Sequence, residues 1–353
     1  MREFYSTVKT MDEPTDQPRR SGARAAIRLP HLAGIEEARA LLREHLPETP
    51  LVRSELLSRA LLADVWLKNE TASPIASFKL RGALTALLRA RGGSAVAEAV
   101  TSSTGNHGQG VAAAARVVGI PAHVFLPHGA NPVKRRMIEA LGATLHEAGR
   151  DIDEAKADAQ RFAASRGALF VDDGESLAVM EGAGTVGLEV AERLPDVDVL
   201  FVPMGSGTLV TGCAVALKGL QPRARVVAVQ SSGSPAMVES FHARRAVERA
   251  IDSVADGLVC RVPARLALEG LWAWLDDAVT VSDATLLQAL RALVEHAHVL
   301  VEPAGAAGLA AAWARRLDLA GRRVVLVLTG ANVTLPVLED ALSAPPLFDP
   351  GHP

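Results

Sequence analysis

Ser77-Phe78-Lys79-Leu80-Arg81-Gly82-Ala83 is the stretch on which the reading of this chain turns. It follows a proline-containing turn, Ser73-Pro74-Ile75, and holds one of only six lysines among 37 lysines and arginines. An arginine stays charged, whereas a partly desolvated lysine can lose its proton and serve as nucleophile or base. The plain alternative is a solvated lysine on a helix N-terminus capped by Ser77, since most lysines are surface charges. Stretches far along the chain decide against that alternative.

The bulk composition narrows the field first. A chain of 353 residues, 49% apolar, can bury a large core in one domain or in two joined ones. With 22% charged residues of both signs and a net charge of −3, it offers no electrostatic case for nucleic acid or a membrane surface. Cys213 and Cys260 are too few for a disulfide framework or a zinc cage, and no metal site is expected. No apolar run reaches the ~18 residues of a membrane span. Residues 1–28 lack the apolar core of a secretory signal and read as a flexible tail. A soluble, cytoplasmic protein is the expectation.

From the Lys79 stretch outward, the apolar periodicity predicts alternating elements. Helices are expected over 32–45 and 54–62, a strand over 64–68, and a helix from the Lys79 stretch to about 91. Strands over 99–102, 122–126, 144–147 and 168–171 then alternate with helices over 107–118, 132–141 and 152–166, Pro132 sitting where a helix start tolerates it. Further on come a helix over 184–193, a strand over 197–202, a helix over 209–220 and a strand over 226–230. A looser region runs to 271, followed by a strand over 279–281, helices over 283–296 and 306–317, and a strand over 324–328. Short apolar strands alternating with longer helices imply α/β architecture, parallel sheet with crossover helices. The compact block 98–172 reads as a small domain, residues 29–97 with 173–341 as a large one, and 342–353 as a loose end.

Three loops at predicted strand ends carry chemistry. Met204-Gly205-Ser206-Gly207-Thr208-Leu209 joins a strand to a helix; its glycines let backbone N–H groups turn inward, and the helix N-terminus favours an anion such as a phosphate. A dinucleotide fold fails two checks: Val210 stands where a third glycine is needed, and the next strand ends in Gln230-Ser231 rather than an acid. Ser102-Ser103-Thr104-Gly105-Asn106-His107-Gly108-Gln109 gathers hydroxyls, an amide and an imidazole around exposed N–H groups, which suits a substrate carboxylate. Thr329-Gly330-Ala331-Asn332 follows the last strand, on the side where parallel sheets hold ligands. A phosphate site, a carboxylate site and a special lysine together describe pyridoxal 5′-phosphate and an amino acid.

These motifs, with Ala255-Asp256-Gly257 and Glu302-Pro303-Ala304-Gly305-Ala306, resemble the serine/threonine dehydratases among the fold-type II pyridoxal-phosphate enzymes, in order over residues 32–336. The resemblance implies a tryptophan synthase β-like fold: two parallel-sheet, three-layer domains with the cofactor between them. It implies that Lys79 binds the cofactor covalently and later moves the Cα proton, with Phe78 beside the ring. Asn106 is to bond the ring's phenolic oxygen, and Gly205, Ser206, Gly207, Thr208 and Leu209 are to ring the phosphate. Ser103, Thr104, Asn106 and His107 are to line the substrate site, and Thr329 is to face the pyridine nitrogen, with Glu302 near the ring. The implied activity is a carbon–oxygen lyase (ammonia-lyase) that takes water from a 3-hydroxy amino acid such as L-threonine or L-serine. The products are a 2-oxo acid and ammonia, and a homodimer or homotetramer is expected.

The chain departs from the family pattern at several positions. Ser206 and Thr208 interrupt a loop that is usually four glycines, and Ala183 replaces a usual glutamine. Thr104 stands where threonine dehydratases have alanine and serine racemases have serine, so its hydroxyl gives Thr104 a possible catalytic role as a second proton donor, the racemase arrangement. Gln230 replaces a glutamate that binds a divalent cation in some relatives. Racemisation or β-replacement on the same fold is the alternative reading. A non-catalytic pyridoxal-phosphate-binding protein is the other, and retention of Lys79 argues against it.

Overall fold

The computed structural model describes residues 27–93, 96–129 and 132–348. Most of the expected N-terminal tail, and the last five residues of the expected loose end, lie outside the described residues.

A six-stranded sheet has the order β1-β2-β10-β7-β8-β9, made of β1 (Leu51–Arg53), β2 (Asp64–Asn69), β7 (Val199–Pro203), β8 (Arg225–Ser231), β9 (Asp277–Val281) and β10 (Arg323–Leu328). All its neighbours are parallel except β1, which pairs antiparallel with β2. The sequence pattern misses β1, a three-residue edge strand whose entry is set by Pro50. A second, fully parallel sheet has the order β5-β4-β3-β6, from β3 (Ala99–Ser102), β4 (Ala122–Leu126), β5 (Thr144–Glu147) and β6 (Leu169–Phe170).

Helices cover both faces of the large sheet, so its central strands read as unbroken apolar runs. Along β10, Val324, Leu326 and Leu328 pack on one face with Leu57, Phe201 and Leu290, while Val325 and Val327 pack on the other with Val202, Val210 and Leu217. The first face is covered by α2 (Glu55–Leu61), α11 (Asp283–Ala297) and α12 (Ala307–Ala314). The second takes α7 (Leu177–Arg193), α8 (Thr208–Leu220), α9 (Ala236–Ala243) and α10 (Arg265–Trp274), with α1 (Leu32–Leu42) outside them. Between the sheets run α3 (Lys79–Gly93) and α4 (Asn106–Val118); α5 (Pro132–Ala140) and α6 (Ile152–Arg166) complete the small sheet's layers.

Four expectations are corrected. The helix expected over 184–193 starts at Leu177, where the Ser176 side chain accepts from Val179 N. Gly182, Gly184 and Gly187 weaken the helical signal, yet they are there for packing: a Cβ on Gly187 would fall 2.6 Å from Cys213 Cα on α8. The looser region contains α9 and α10. Residues 342–348 are not loose, because α13 (Leu335–Ser343) reaches into them and Phe348, 6% exposed, stacks on His296 and leans on Trp313. The helix expected over 306–317 opens as a tight 3-10 turn, Pro303–Ala306, and ends at Ala314. Among the described residues no helix is long and apolar enough to cross a membrane.

Candidate active site

Strands β3, β7 and β10 end at one cleft between the sheets, the position where parallel α/β sheets hold ligands. Phe78, Lys79, Ser103, Thr104, Asn106, His107, Gly205, Ser206, Gly207, Thr208, Leu209 and Thr329 all line it. Asp173, Asp256, Gly257 and Glu302 line it as well.

The Lys79 loop is stitched to the end of β10. Phe78 N donates to Thr329 O at 3.1 Å, Ala331 N to Ala76 O at 2.9 Å, and Ser77 bridges to Gly330. Lys79 is the first residue of α3, with its ammonium 5.0 Å from the Phe78 ring centroid and 2.5 Å from Asp173 Oδ2.

The loop after β7 is an anion cradle. Gly207 has φ +92°, a left-handed conformation open to glycine, and a Cβ on Gly205 would fall 2.6 Å from Gly257 O. The backbone N–H groups of Gly205, Ser206, Gly207 and Thr208 have no protein acceptor among the described residues, and they converge at the start of a 13-residue helix. That donor set fits a phosphate. The N–H groups of Thr104, Asn106 and His107, at the start of α4, are likewise without protein acceptors and fit a carboxylate.

Two expected residues have partners the sequence does not announce. Asn106 Oδ1 accepts from Asn332 Nδ2 at 2.7 Å, and Asn106 Nδ2 donates to Glu302 Oε1 at 2.7 Å, leaving one amide hydrogen for the cleft. The His107 ring is buried, and Nε2 lies 3.1 Å from Val171 O. A carbonyl only accepts, so that nitrogen carries the hydrogen; burial holds the ring neutral by pushing its pKa down. Gln230, where some relatives place a metal-binding glutamate, donates Nε2 to Leu258 O and accepts at Oε1 from Met237 N and Val238 N, each at 3.2 Å. The amide closes both halves of that contact itself.

Asp173 is the residue sequence reasoning missed. Asp172 makes a turn after the small sheet's last strand, its Oδ1 accepting from Gly174 N at 2.8 Å. The turn delivers Asp173 to Lys79 and to Ser206 Oγ, 3.3 Å away.

Glu302 is 2% exposed, and its Oε2 has no hydrogen-bond partner among the described residues. Burial pushes its carboxyl above the ordinary range, and Lys134 and the Asn106 amide offset this only in part. A raised carboxyl in the fold contributes stability that is complete below the unfolded value and is lost as pH rises through the folded one. Glu302→Gln is therefore expected to match the parent protein at acid pH and to exceed it in melting temperature at alkaline pH. Thermal melts across pH that stay parallel would show that Glu302 does not hold a proton.

The profile of the pyridoxal-phosphate dependent enzymes matches residues 42–330. An L-threonine ammonia-lyase of Thermotoga maritima is 35% identical over 309 residues, covering 87% of this chain and 77% of that protein. Maize serine racemase superposes with a TM-score of 0.82 at 27% identity, over 90% of this chain and 98% of that one. The processed form of threonine deaminase isoform 2 from Solanum lycopersicum gives 0.81 at 25% identity, over 88% and 92%. With its two helix-covered parallel sheets, its Lys79 cleft and a profile match running through both, the chain belongs to the fold-type II pyridoxal-phosphate dependent enzymes, as a lyase of the serine/threonine dehydratase type.

Proposed function

We propose that this enzyme eliminates water from a 3-hydroxy amino acid, L-threonine or L-serine or a bulkier analogue, to give a 2-oxo acid and ammonia. The observation that carries the reading is the meeting of Lys79 with two separate sets of unpaired N–H donors in one cleft. In this reading the 205–209 loop holds the cofactor phosphate, Asn106 faces its phenolic oxygen, Thr329 its ring nitrogen, and Lys79 forms the covalent link. Bound there, the cofactor supplies a sink for the electron pair left when the Cα proton is removed. The remaining work falls to the chain. Thr104, Asn106 and His107 orient the substrate carboxylate through their backbone N–H groups, and Lys79, released by the substrate, takes the Cα proton. The relatives named as threonine ammonia-lyases and deaminases support the same substrate class.

Racemisation is the second reading, favoured by the Thr104 hydroxyl on the cleft wall and by the likeness to serine racemase. One assay separates the two. The holoenzyme is given L- and D-serine, L-threonine, 3-hydroxyaspartate and phenylserine, and both 2-oxo acid and the opposite enantiomer are measured. Oxo acid from at least one of them is the expected result. Enantiomer without oxo acid would replace elimination with racemisation.

A further inference from the structure

Asp173 has no role in the scheme above, yet among the described residues it pairs directly with the Lys79 ammonium. Its Oδ2 lies 2.5 Å from Lys79 Nζ, while its Oδ1 is buried and has no hydrogen-bond partner among the described residues. Opposite Oδ1, at 3.8 Å, stands His107 Nδ1, which is also buried and unpartnered. Because His107 spends its hydrogen on Val171 O, both facing atoms are bare acceptors. Two buried acceptors that face each other mark a place for a proton.

The surroundings point the same way. Asp173 sits between the loop fitted for a phosphate, through Ser206 Oγ at 3.3 Å, and the loop fitted for a carboxylate, through His107. A carboxylate between two anions is unfavourable unless it holds a proton or faces a cation. Burial pushes the Asp173 carboxyl up, but the Lys79 ammonium outweighs it and keeps it below its ordinary range while the lysine is charged beside it. Once Lys79 gives up its charge, that compensation is gone and the carboxyl gains affinity for a proton.

We propose that Asp173 is the acid that protonates the departing β-hydroxyl, receiving its proton from Lys79 and steadied in its protonated form by His107 Nδ1. The inference rests on the elimination reading above. The step balances. Lys79 takes the Cα proton, and the pair of that C–H bond ends in the new Cα=Cβ bond as the Cβ–O bond breaks. The leaving oxygen keeps the pair of the C–O bond and takes the Asp173 proton, so it departs as water. The Lys79 ammonium then returns its proton to the Asp173 carboxylate across the 2.5 Å contact, and both groups are reset. The hydrogen removed from Cα thus leaves as part of the water.

The test compares leaving groups. Chloride departs from β-chloroalanine without needing a proton, whereas hydroxide does not leave from serine without one. In the holoenzyme, Asp173→Asn is expected to slow elimination from the hydroxy substrate by about 10²–10³, within the range for a positioned general acid, and to slow chloride elimination by less than about tenfold. Turnover of chloroalanine also certifies that the variant is folded and loaded. Asp173→Ala should recover part of the hydroxy-substrate rate when formate is added. A readout independent of turnover is the visible band of the bound cofactor: removing a carboxylate beside the Lys79 linkage moves the pH at which the band changes downward. Equal slowing of both substrates, or slowing of neither, overturns the proposal, as does a band unmoved by the substitution. A parent enzyme that eliminates neither chloride nor water would instead sink the elimination reading itself.

Discussion

Lys79→Ala is expected to remove elimination activity by at least about 10⁴, the upper range for a lost proton-transfer group, since the covalent link to the cofactor is lost as well. The fold should survive the change. Lys79 opens α3 with its side chain facing the cleft, 15% exposed, and its contacts are the Phe78 ring and the Asp173 carboxylate rather than the core. Borohydride reduction followed by intact-mass measurement separates chemistry from folding. The parent protein should gain one reduced phosphopyridoxyl group, mapped by digestion to Lys79, and the variant none. The competing amine is Lys68, fully buried and bonded to Glu189 and Thr49, which should stay unlabelled in both. Label on Lys68, or a variant that keeps a tenth of the activity, would remove Lys79 from its role.

What the sequence made legible, and what it hid, divides along physical lines. The 205–209 loop and the 103–107 loop were readable because backbone constraints are local: glycines between a strand and a helix, with hydroxyls or amides beside them, say what the N–H groups can do. Lys79 was readable because its neighbours in sequence set its position. Asp173 was not, because its significance comes from Lys79, 94 positions earlier, and Ser206, 33 positions later, which the fold brings to it together with His107. The start of α7 was hidden for a related reason. Glycine costs helix stability on its own, and only the close approach of α3 to Gly182 and of α8 to Gly184 and Gly187 shows why the helix keeps them. Phe348 looked like part of a proline-rich tail, and only the His296 and Trp313 rings across from it make it core.

The scarcity of lysine pointed to Lys79, but it concealed a second unusual lysine and the arginine that shares its partners. Arg81 is 5% exposed and lies two residues beyond Lys79 on the first turn of α3. Its guanidinium donates to Glu70 Oε2 at 2.7 Å and Oε1 at 3.0 Å, to Glu189 Oε1 and Oε2 at 2.5 and 3.0 Å, to Thr185 Oγ1 at 3.0 Å and to Thr49 Oγ1 at 3.1 Å. Lys68 bonds the same Glu189 and stands 3.8 Å from Glu70, so two buried cations balance two buried carboxylates. The cluster ties α3 to α7 and to the end of β2, which fixes where Lys79 begins its helix. Arg81→Leu leaves one cation for two carboxylates, and breaking a buried network this way costs about 3–5 kcal/mol. For a chain of this length the unfolding entropy is roughly 0.7 kcal/mol per kelvin, so the melting temperature should fall by about 4–7 °C. Adding Glu70→Gln restores the charge balance, because Lys68 and Glu189 then remain as one pair and the amide oxygen can still accept from Thr49. The double variant should therefore melt above the single one. Melting curves in which Arg81→Leu loses less than about 1 kcal/mol, or in which the second change lowers stability further, would mean that shape rather than charge balance holds this helix in place.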